Sequence, residues 1–296
     1  MIGHEPQTPI TGTAAGVPYV ALPPADGAEA APLVVAWHLA SPPRSETAMA
    51  AALPLRGLEA WRVYLGLPML GSRVPEGGLD EFFRRFREDA VLNVFEPVTR
   101  AAVEEFPAAL GELCDRLGFG DGPLGLVGGS MGAWVAQSVL TDTDVPVSTV
   151  ALVSPAIRLA SVVERYERLW DVPYTWNEQS LAVGDGFDFV ARADQIAARD
   201  VATLLVVGAR DDEEGFRRPA EQLHQALSQR APERTALVQI PGMEHALAEE
   251  PGLEPAPQTA RAARVDAAVT AWLGRHLNGR QRPAKVTGTA GPGRSV

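Results

Sequence analysis

Short apolar runs alternate with polar stretches along the chain, and each run ends near a glycine or a proline. The runs contain β-branched residues and are too short for buried helices, so each run predicts a buried strand. The predicted strands are residues 33–37, 61–65, 124–127, 147–153, 203–207 and 236–240. Residues 8–22 contain two further extended pieces around Gly12 and Gly16, which predict an antiparallel hairpin on the edge of the sheet.

Segments with helical spacing lie between most of the predicted strands. Apolar side chains recur every three or four residues in residues 97–117, 216–227 and 259–277. Strands that alternate with helices build a mostly parallel sheet with helices on both faces, so the predicted fold class is α/β. The length of 296 residues allows one domain, which we place at residues 1–278, followed by a disordered tail at 279–296.

One connection between predicted strands is long and rich in aromatic residues. It spans residues 157–200, and an insertion at this place lies over the carboxyl ends of the strands, where open α/β sheets bind ligands. We predict a small cap here. Its aromatic side chains either line a substrate pocket or pack the insertion down, and both interpretations stay open. These side chains are Tyr166, Trp170, Tyr174, Trp176, Phe187 and Phe189.

The motif GGSMG, centred on Ser130, stands where a predicted strand ends and a helical pattern at residues 133–140 begins. A serine at such a turn has a strained backbone and projects its hydroxyl, and the positions two before and two after it must lack bulk. Gly128 and Gly132 meet that need. The motif therefore predicts that Ser130 is a nucleophile, the alternative being a glycine-rich loop without chemistry.

A serine nucleophile needs a neutral imidazole to take its proton and a carboxylate to orient that imidazole. Of the five histidines, His245 follows the last predicted strand and comes after the serine in chain order, so it is the predicted base. His38 follows the run at 33–37 and is better placed to shape a loop. We interpret His4, His224 and His276 as structural.

The acid is predicted in the turn ARDDEE, which follows the seventh predicted strand of the chain. Asp211 stands three residues beyond the glycine that ends this strand, and we expect it to face His245. Asp212 and the glutamates then solvate the loop or cap the next helix, whereas the alternative makes the whole cluster an acidic helix N-terminus. The preceding strand ends in Ser154, which offers no carboxylate.

Acyl transfer also needs two backbone N–H groups directed at the developing oxyanion. Met131 follows the nucleophile at the start of a helix and can supply one of them. The second is expected from the loop after the run at 33–37. There Ala40 is the predicted donor, and Leu39 is the fallback.

Ser130 in GGSMG, Asp211 in GARD and His245 in GMEH, in this order on alternating strands, resemble the α/β-hydrolase superfamily from residue 8 to residue 277. The turn LPMLGSR at 67–73 is similar to the P-x-x-G-x-R turn of dienelactone hydrolase and prolyl oligopeptidase-like esterases. The resemblance implies an eight-stranded, mostly parallel sheet. It also implies a serine mechanism without a cofactor, in which water hydrolyses an acyl-enzyme.

Two positions depart from the superfamily pattern. Leu39 stands where a glycine usually follows the histidine, and Ala133 stands where a glycine often follows the elbow. The first departure concerns the geometry of the oxyanion loop. A serine at position 130 disfavours both the haloalkane chemistry of an aspartate nucleophile and the dienelactone hydrolysis of a cysteine nucleophile, which leaves an ester as the expected substrate.

The composition narrows the partners of the chain. A formal net charge of −11 argues against binding to nucleic acid or to an anionic membrane, so we expect a small-molecule acyl substrate. The single cysteine, Cys114, excludes an intrachain disulfide and a zinc site built on thiolates, and we expect no metal. No export signal and no run of eighteen apolar residues is present, which predicts a cytoplasmic protein. The oligomeric state stays open.

The sequence therefore predicts a serine hydrolase that cleaves small soluble carboxylic esters. No lipase-type amphipathic lid is visible, which favours soluble substrates over lipid droplets. One alternative is an amide or peptide hydrolase of the oligopeptidase-like group, which would use the same residues. The other is a non-catalytic binding protein on the same fold, an interpretation supported by the unusual His38-Leu39 loop.

Overall fold

The computed structural model describes residues 8–24, 31–118 and 122–277, and eight strands within them form one sheet. In chain order the strands are β1 (Ile10–Ala14), β2 (Val17–Leu22), β3 (Leu33–Trp37), β4 (Trp61–Leu65), β5 (Leu124–Gly129), β6 (Thr149–Val153), β7 (Ala202–Gly208) and β8 (Thr235–Ile240). Their spatial order is β1-β2-β4-β3-β5-β6-β7-β8. The β1–β2 and β2–β4 pairs are antiparallel, and the other neighbours are parallel.

The predicted strands are confirmed. All six apolar runs form strands, and the sheet is eight-stranded and mostly parallel as expected. Residues 8–22 form the predicted antiparallel hairpin on the sheet edge, and it turns at Ala15 and Gly16, both with positive φ. The predicted tail at 279–296 lies outside the described residues.

The described residues also form nine α-helices. Their bounds are α1 (Glu46–Ala52), α2 (Gly78–Glu88), α3 (Glu96–Leu117), α4 (Met131–Asp142), α5 (Leu159–Trp170), α6 (Glu178–Gly186), α7 (Ala193–Ala198), α8 (Arg218–Ser228) and α9 (Ala260–His276). Two π-helical turns, Val91–Phe95 and Glu213–Arg217, lead into α3 and α8. Across the described part of the chain, no helix has the length and apolar character to cross a membrane.

The helices at 97–117 and 259–277 were predicted, and they correspond to α3 and α9. The helix predicted at 216–227 begins two residues later as α8, because the chain first makes a π-helical turn. The short helix α1 was not predicted; its N-cap Ser45 accepts a hydrogen bond from the Ala48 N–H.

The sheet separates two apolar cores, because successive side chains of a strand point to opposite faces. Along β3, Trp37 packs into the core that contains Phe106 of α3 and Trp134 of α4. Its neighbour Ala36 packs into the other core, which contains Trp272 of α9. Helices therefore cover both faces of the sheet and leave the carboxyl ends of the parallel strands for the loops that carry polar residues.

The predicted insertion at 157–200 contains α5, α6 and α7. Phe189 is fully buried, and the ring of Phe187 stacks on Trp134 with 5.7 Å between centroids, so these two aromatics pack the insertion down. Helix α5 instead contacts the π-helical turn that follows β7. It therefore lies at the carboxyl end of the sheet.

Candidate active site

The predicted nucleophile lies in a sharp turn between β5 and α4. Ser130 has φ of 46° and ψ of −107°, a conformation that a residue with a side chain adopts only under constraint. Its backbone N–H donates to the Val153 carbonyl at the end of β6 (2.9 Å), and its carbonyl accepts from the Ala133 N–H of α4 (2.9 Å). The turn is thus held by a neighbouring strand on one side and by the helix on the other.

The glycines of the motif are needed because backbone groups approach them closely. A Cβ at Gly128 would lie 2.4 Å from the Gly132 carbonyl oxygen, and a Cβ at Gly132 would lie 2.6 Å from the Trp37 carbonyl oxygen. Neither obstacle is a flexible side chain. The requirement for small residues that the sequence indicated is therefore a requirement of strand and helix backbones that nearly touch.

The structure brings the three predicted polar side chains into one hydrogen-bonded chain. His245 Nε2 lies 2.8 Å from Ser130 Oγ, and His245 Nδ1 lies 2.8 Å from Asp211 Oδ2. An ionised carboxylate accepts only, so the neutral imidazole carries its proton on Nδ1 and presents the Nε2 lone pair to the serine hydroxyl. The side chain of Asp211 is 1% exposed and that of His245 is 13% exposed.

Asp211 is oriented by its own turn. The Asp212 N–H donates to Asp211 Oδ1 (2.7 Å), which leaves Oδ2 for the imidazole. The side chain of Asp212 points elsewhere: its Oδ1 accepts from the Gly215 N–H (2.7 Å) and pairs with Arg168 (3.0 Å). The two adjacent acids thus have different environments, as expected from the sequence. Asp212 caps the π-helical turn that leads into α8.

Two residues that support His245 were not predicted as parts of the site. A Cβ at Gly208 would lie 2.4 Å from the Met243 carbonyl oxygen, so the loop that carries His245 crosses β7 where that strand has no side chain. The ring of Phe216 lies 4.0 Å from the imidazole, centroid to centroid. The sequence marked Gly208 as a strand end and Phe216 as a helix residue, and neither pattern shows a contact between distant loops.

The two candidate oxyanion donors are both without a hydrogen-bond acceptor among the described residues. Met131 is the first residue of α4, where a helix leaves its N–H groups unpaired. The Ala40 N–H also has no acceptor in this part of the chain, whereas the fallback Leu39 N–H donates to the Pro43 carbonyl (3.2 Å). Of the two residues in this loop, Ala40 is therefore the one that can donate to a ligand.

His38 fixes the orientation of the Ala40 N–H. Its Nε2 accepts from the Leu67 N–H (3.1 Å), so its proton is on Nδ1 and donates to the Leu39 carbonyl (2.7 Å). The N–H and C=O of a trans peptide point in opposite directions, so this bond turns the Ala40 N–H away from His38. Complete burial lowers the pKa of His38 to about 4, which keeps the imidazole neutral.

No protein-family model matches the chain, and no curated protein matches its sequence. Solved structures do match it. TT1662 from Thermus thermophilus superposes with a TM-score of 0.61 at 23% identity, over 91% of this chain and 99% of that one. A cold-adapted esterase from an Arctic intertidal metagenomic library superposes with a TM-score of 0.54 at 20% identity, over 91% and 93% of the two chains.

The chain has the α/β-hydrolase fold. A puromycin-hydrolyzing peptidase from Mycobacterium tuberculosis also superposes, with a TM-score of 0.61 at 18% identity over 91% of this chain. The match covers 40% of that peptidase, so this chain corresponds to less than half of its length.

Both departures from the usual α/β-hydrolase pattern fit tightly in this structure. The side chain of Leu39 is fully buried and lies over Gly129, where a Cβ would come within 2.3 Å of Leu39 Cδ1. The extra bulk at position 39 is therefore matched by a third glycine in the elbow. Ala133 is also fully buried, and its Cα lies 2.6 Å from the position that a Cβ on Gly128 would take.

The loop that carries the predicted oxyanion donor Ala40 packs against the segment after His245. The Leu247 N–H donates to the Pro42 carbonyl (3.0 Å), and a Cβ at Gly252 would lie 2.5 Å from Pro42 Cβ. Arg44 Nε donates to the Ala40 carbonyl (2.9 Å). The loop that carries the predicted donor and the loop that carries the predicted base are thus one packed unit.

The turn at 67–73 and His224 both form hydrogen bonds within the fold. In the turn at 67–73, Arg73 forms a bidentate ion pair with Glu105 of α3 (2.5 and 2.9 Å) and donates to the Gly66 carbonyl. His224 Nε2 lies 3.2 Å from Ser228 Oγ, while His4 falls outside the described residues.

Within the described ranges, no group of three or more His, Cys, Asp or Glu side chains is placed to hold a metal ion.

Proposed function

We propose that the protein is a serine hydrolase that cleaves small soluble carboxylic esters through an acyl-enzyme. The observation that supports this most strongly is the continuous hydrogen-bonded chain from Asp211 through His245 to Ser130 Oγ, with 2.8 Å at each step. A buried serine in a structural role has no need for an imidazole that is itself oriented by a buried carboxylate.

In the proposed reaction, Ser130 Oγ attacks the ester carbonyl and His245 Nε2 takes the serine proton. The developing oxyanion accepts from the N–H groups of Met131 and Ala40. His245 then gives its proton to the leaving alcohol oxygen as the C–O bond breaks, and an acyl-serine remains. Water attacks this acyl group, with His245 again acting as base and then as acid, which releases the carboxylic acid and free Ser130. Asp211 holds the imidazole and stabilises its cationic form.

The expected size of the substrate follows from the access to the site. Ser130 is 7% exposed, and the side chain of His245 is 13% exposed, so little of either reacting group is open to solvent. A slender acyl group can approach such an atom more easily than a bulky one. We therefore propose short soluble acyl chains, and faster turnover of long-chain emulsified esters than of short soluble esters would contradict this.

Amide or peptide hydrolysis is the second candidate. It is supported by the peptidases among the similar folds, such as the puromycin-hydrolyzing peptidase and an acylaminoacyl peptidase from Pyrococcus horikoshii. The chain covers 43% of the latter, and both likenesses are at or below 18% identity. The same residues would carry out this reaction, so the substrates must decide between the two.

The test is hydrolysis of p-nitrophenyl acetate and butyrate by the wild-type protein and by Ser130→Ala, with an amide analogue in parallel. We expect ester turnover that is abolished in Ser130→Ala and that exceeds amide turnover. Faster cleavage of the amide would favour the peptidase alternative. Absence of turnover by the wild type on all three substrates would favour a hydrolase of narrow specificity or a non-catalytic binding protein.

A further inference from the structure

A cation lies close to the proposed base. The guanidinium carbon of Arg165, on α5, lies 5.4 Å from the centroid of the Phe216 ring, and that ring lies 4.0 Å from the imidazole of His245. The guanidinium also lies 5.2 Å from the ring of its neighbour Tyr166. Phe216 is buried whereas Arg165 is half-buried, so the charged group is at the solvent side of this stack.

Arg165 has no carboxylate within ion-pairing distance among the described residues. Two other arginines, at the two ends of α5, are neutralised: Arg168 pairs with Asp212 (3.0 Å), and Arg158 pairs with Asp188 (3.0 Å). The protein as a whole is acidic, with a net charge of −11. An arginine that is packed on an aromatic ring beside the site and is not paired with an acid is therefore available to an anionic ligand.

A second cation, Arg44, also acts on Tyr166, but its donors are already bound. Burial raises the pKa of Tyr166, and the charges of Arg165 and Arg44 act to lower it, so both guanidinium groups are near this tyrosine. Arg44 donates to the Ala40 carbonyl, to the Pro251 carbonyl and to Glu250. The donors of Arg44 therefore hold the loop at residues 38–43, whereas Arg165 hydrogen-bonds to the neighbouring Tyr166 and has no carboxylate partner among the described residues.

We propose that Arg165 binds a carboxylate carried by the leaving group of the ester, so that the protein selects esters of carboxylate-bearing alcohols or phenols. This inference rests on the proposed function. His245 must give its proton to the leaving oxygen, so the leaving group lies beside the imidazole, against which the ring of Phe216 packs, and Arg165 in turn packs on that ring. Arginine binds carboxylates in a bidentate manner with charge-assisted hydrogen bonds.

The test compares 4-acetoxybenzoate with the neutral 4-acetoxybenzamide, which has a similar shape and releases the same acetyl group to Ser130. We measure kcat/KM for the wild type, Arg165→Met and Arg165→Lys. Methionine keeps the contact with Phe216 without the charge. Arg100→Met is the control, because it removes the same charge from an exposed side chain that is paired with Glu96 on α3.

We expect the wild type to prefer the benzoate and Arg165→Met to lower the benzoate-to-benzamide ratio about tenfold, mainly through KM, since a hydrogen bond to a charged group is lost. The benzamide rate should stay within about twofold, because only the charge is removed. Arg165→Lys should restore part of the preference, and Arg100→Met should keep all of it. Added salt should weaken the preference of the wild type.

An equal loss on both esters in Arg165→Met would overturn the proposal, because it would show that Arg165 supports Phe216 and the fold instead. Turnover of the benzamide by the wild type without any preference for the benzoate would overturn it while leaving the proposed hydrolase function intact. Binding of both esters to Ser130→Ala is measured by calorimetry, so that failure of catalysis does not decide the matter. Equal affinities of Ser130→Ala, which retains Arg165, for the two esters would also overturn the proposal.

Discussion

The adjacent residues Asp211 and Asp212 show that the surroundings of a carboxylate determine its role. Asp211 is buried and hydrogen-bonded to the imidazole, whereas Asp212 accepts from a backbone N–H and from Arg168. The chemical groups are the same. Under the proposed function, the first orients the base and the second caps a turn.

Asparagine at each position therefore has a different expected effect. Asp211→Asn keeps the shape but can donate to the imidazole, which favours the wrong tautomer and should lower kcat by about 10⁴-fold. Asp212→Asn keeps an acceptor for the Gly215 N–H and should change kcat by less than about fivefold, because caps of either type are accepted. Steady-state kinetics on p-nitrophenyl butyrate measure both effects, and equal losses would contradict the assignment of the acid.

Residue patterns were sufficient to single out the three polar side chains that the structure brings together, but not the residues that pack around them. Ser130, Asp211 and His245 follow predicted strands, and parallel strands bring their carboxyl ends to one edge of a sheet. Gly208 and Phe216 could not be predicted in the same way. Their roles depend on contacts with a loop about thirty residues further along the chain, and no local periodicity encodes such contacts.

The strand β5, the helix α4 and the loop after β3 meet with almost no intervening side chains. The exception is Leu39, which fills the space above Gly129. The sequence showed this leucine as a departure from the superfamily pattern. The structure explains it, because the departure at one element is compensated by a glycine in the next.

This fit predicts a strong coupling between positions 129 and 39. Gly129→Ala should lower the free energy of unfolding by about 1–3 kcal/mol through overpacking and should lower kcat by displacing the oxyanion loop. Gly129→Ala combined with Leu39→Ala should be less destabilised than the sum of the two single changes, by at least about 0.5 kcal/mol. Urea denaturation measures this. Gly111→Ala is the control, since a Cβ there has no neighbour within 4 Å. Additive effects of the changes at positions 129 and 39 would contradict the predicted coupling.

Strands were predicted more completely than helices. The buried strands of the parallel sheet are continuous apolar runs that end at turn residues, and this signal is local. Helix α2 was missed because only Phe82 and Phe86 of its residues are buried and two glycines stand at its start. Helices α5 to α7 were covered by one predicted insertion, since their packing depends on rings from several parts of the chain.

For the whole molecule, His38 connects the proposed site to the pH dependence of stability. Its pKa falls from 6.5 to about 4 through burial, so the unfolded chain binds a proton at this residue more readily than the folded chain does. Between these two pH values the free energy of unfolding must therefore fall as the pH falls. Above pH 6.5 this contribution is constant.

Comparison with a variant that cannot titrate at this position isolates the effect. Between pH 7 and pH 4 the wild type should lose about 3 kcal/mol more of its free energy of unfolding than His38→Asn does. At pH 7 the variant should be less stable than the wild type by about 1–3 kcal/mol, because the Leu67 N–H loses its acceptor. Urea denaturation across this range is the measurement, and parallel curves for the two proteins would show that His38 is not held neutral.

Under the proposed function, the hydrogen-bonded chain from Asp211 through His245 makes Ser130 nucleophilic. The most direct measurement is labelling of the intact protein with a fluorophosphonate probe, followed by mass spectrometry of the peptide that contains residue 130. We predict that the probe phosphonylates Ser130 in the wild type, fails to label Ser130→Ala, and labels Asp211→Asn more slowly by orders of magnitude. Absence of labelling in the wild type, or labelling of Ser130→Ala at the same rate, would contradict the account.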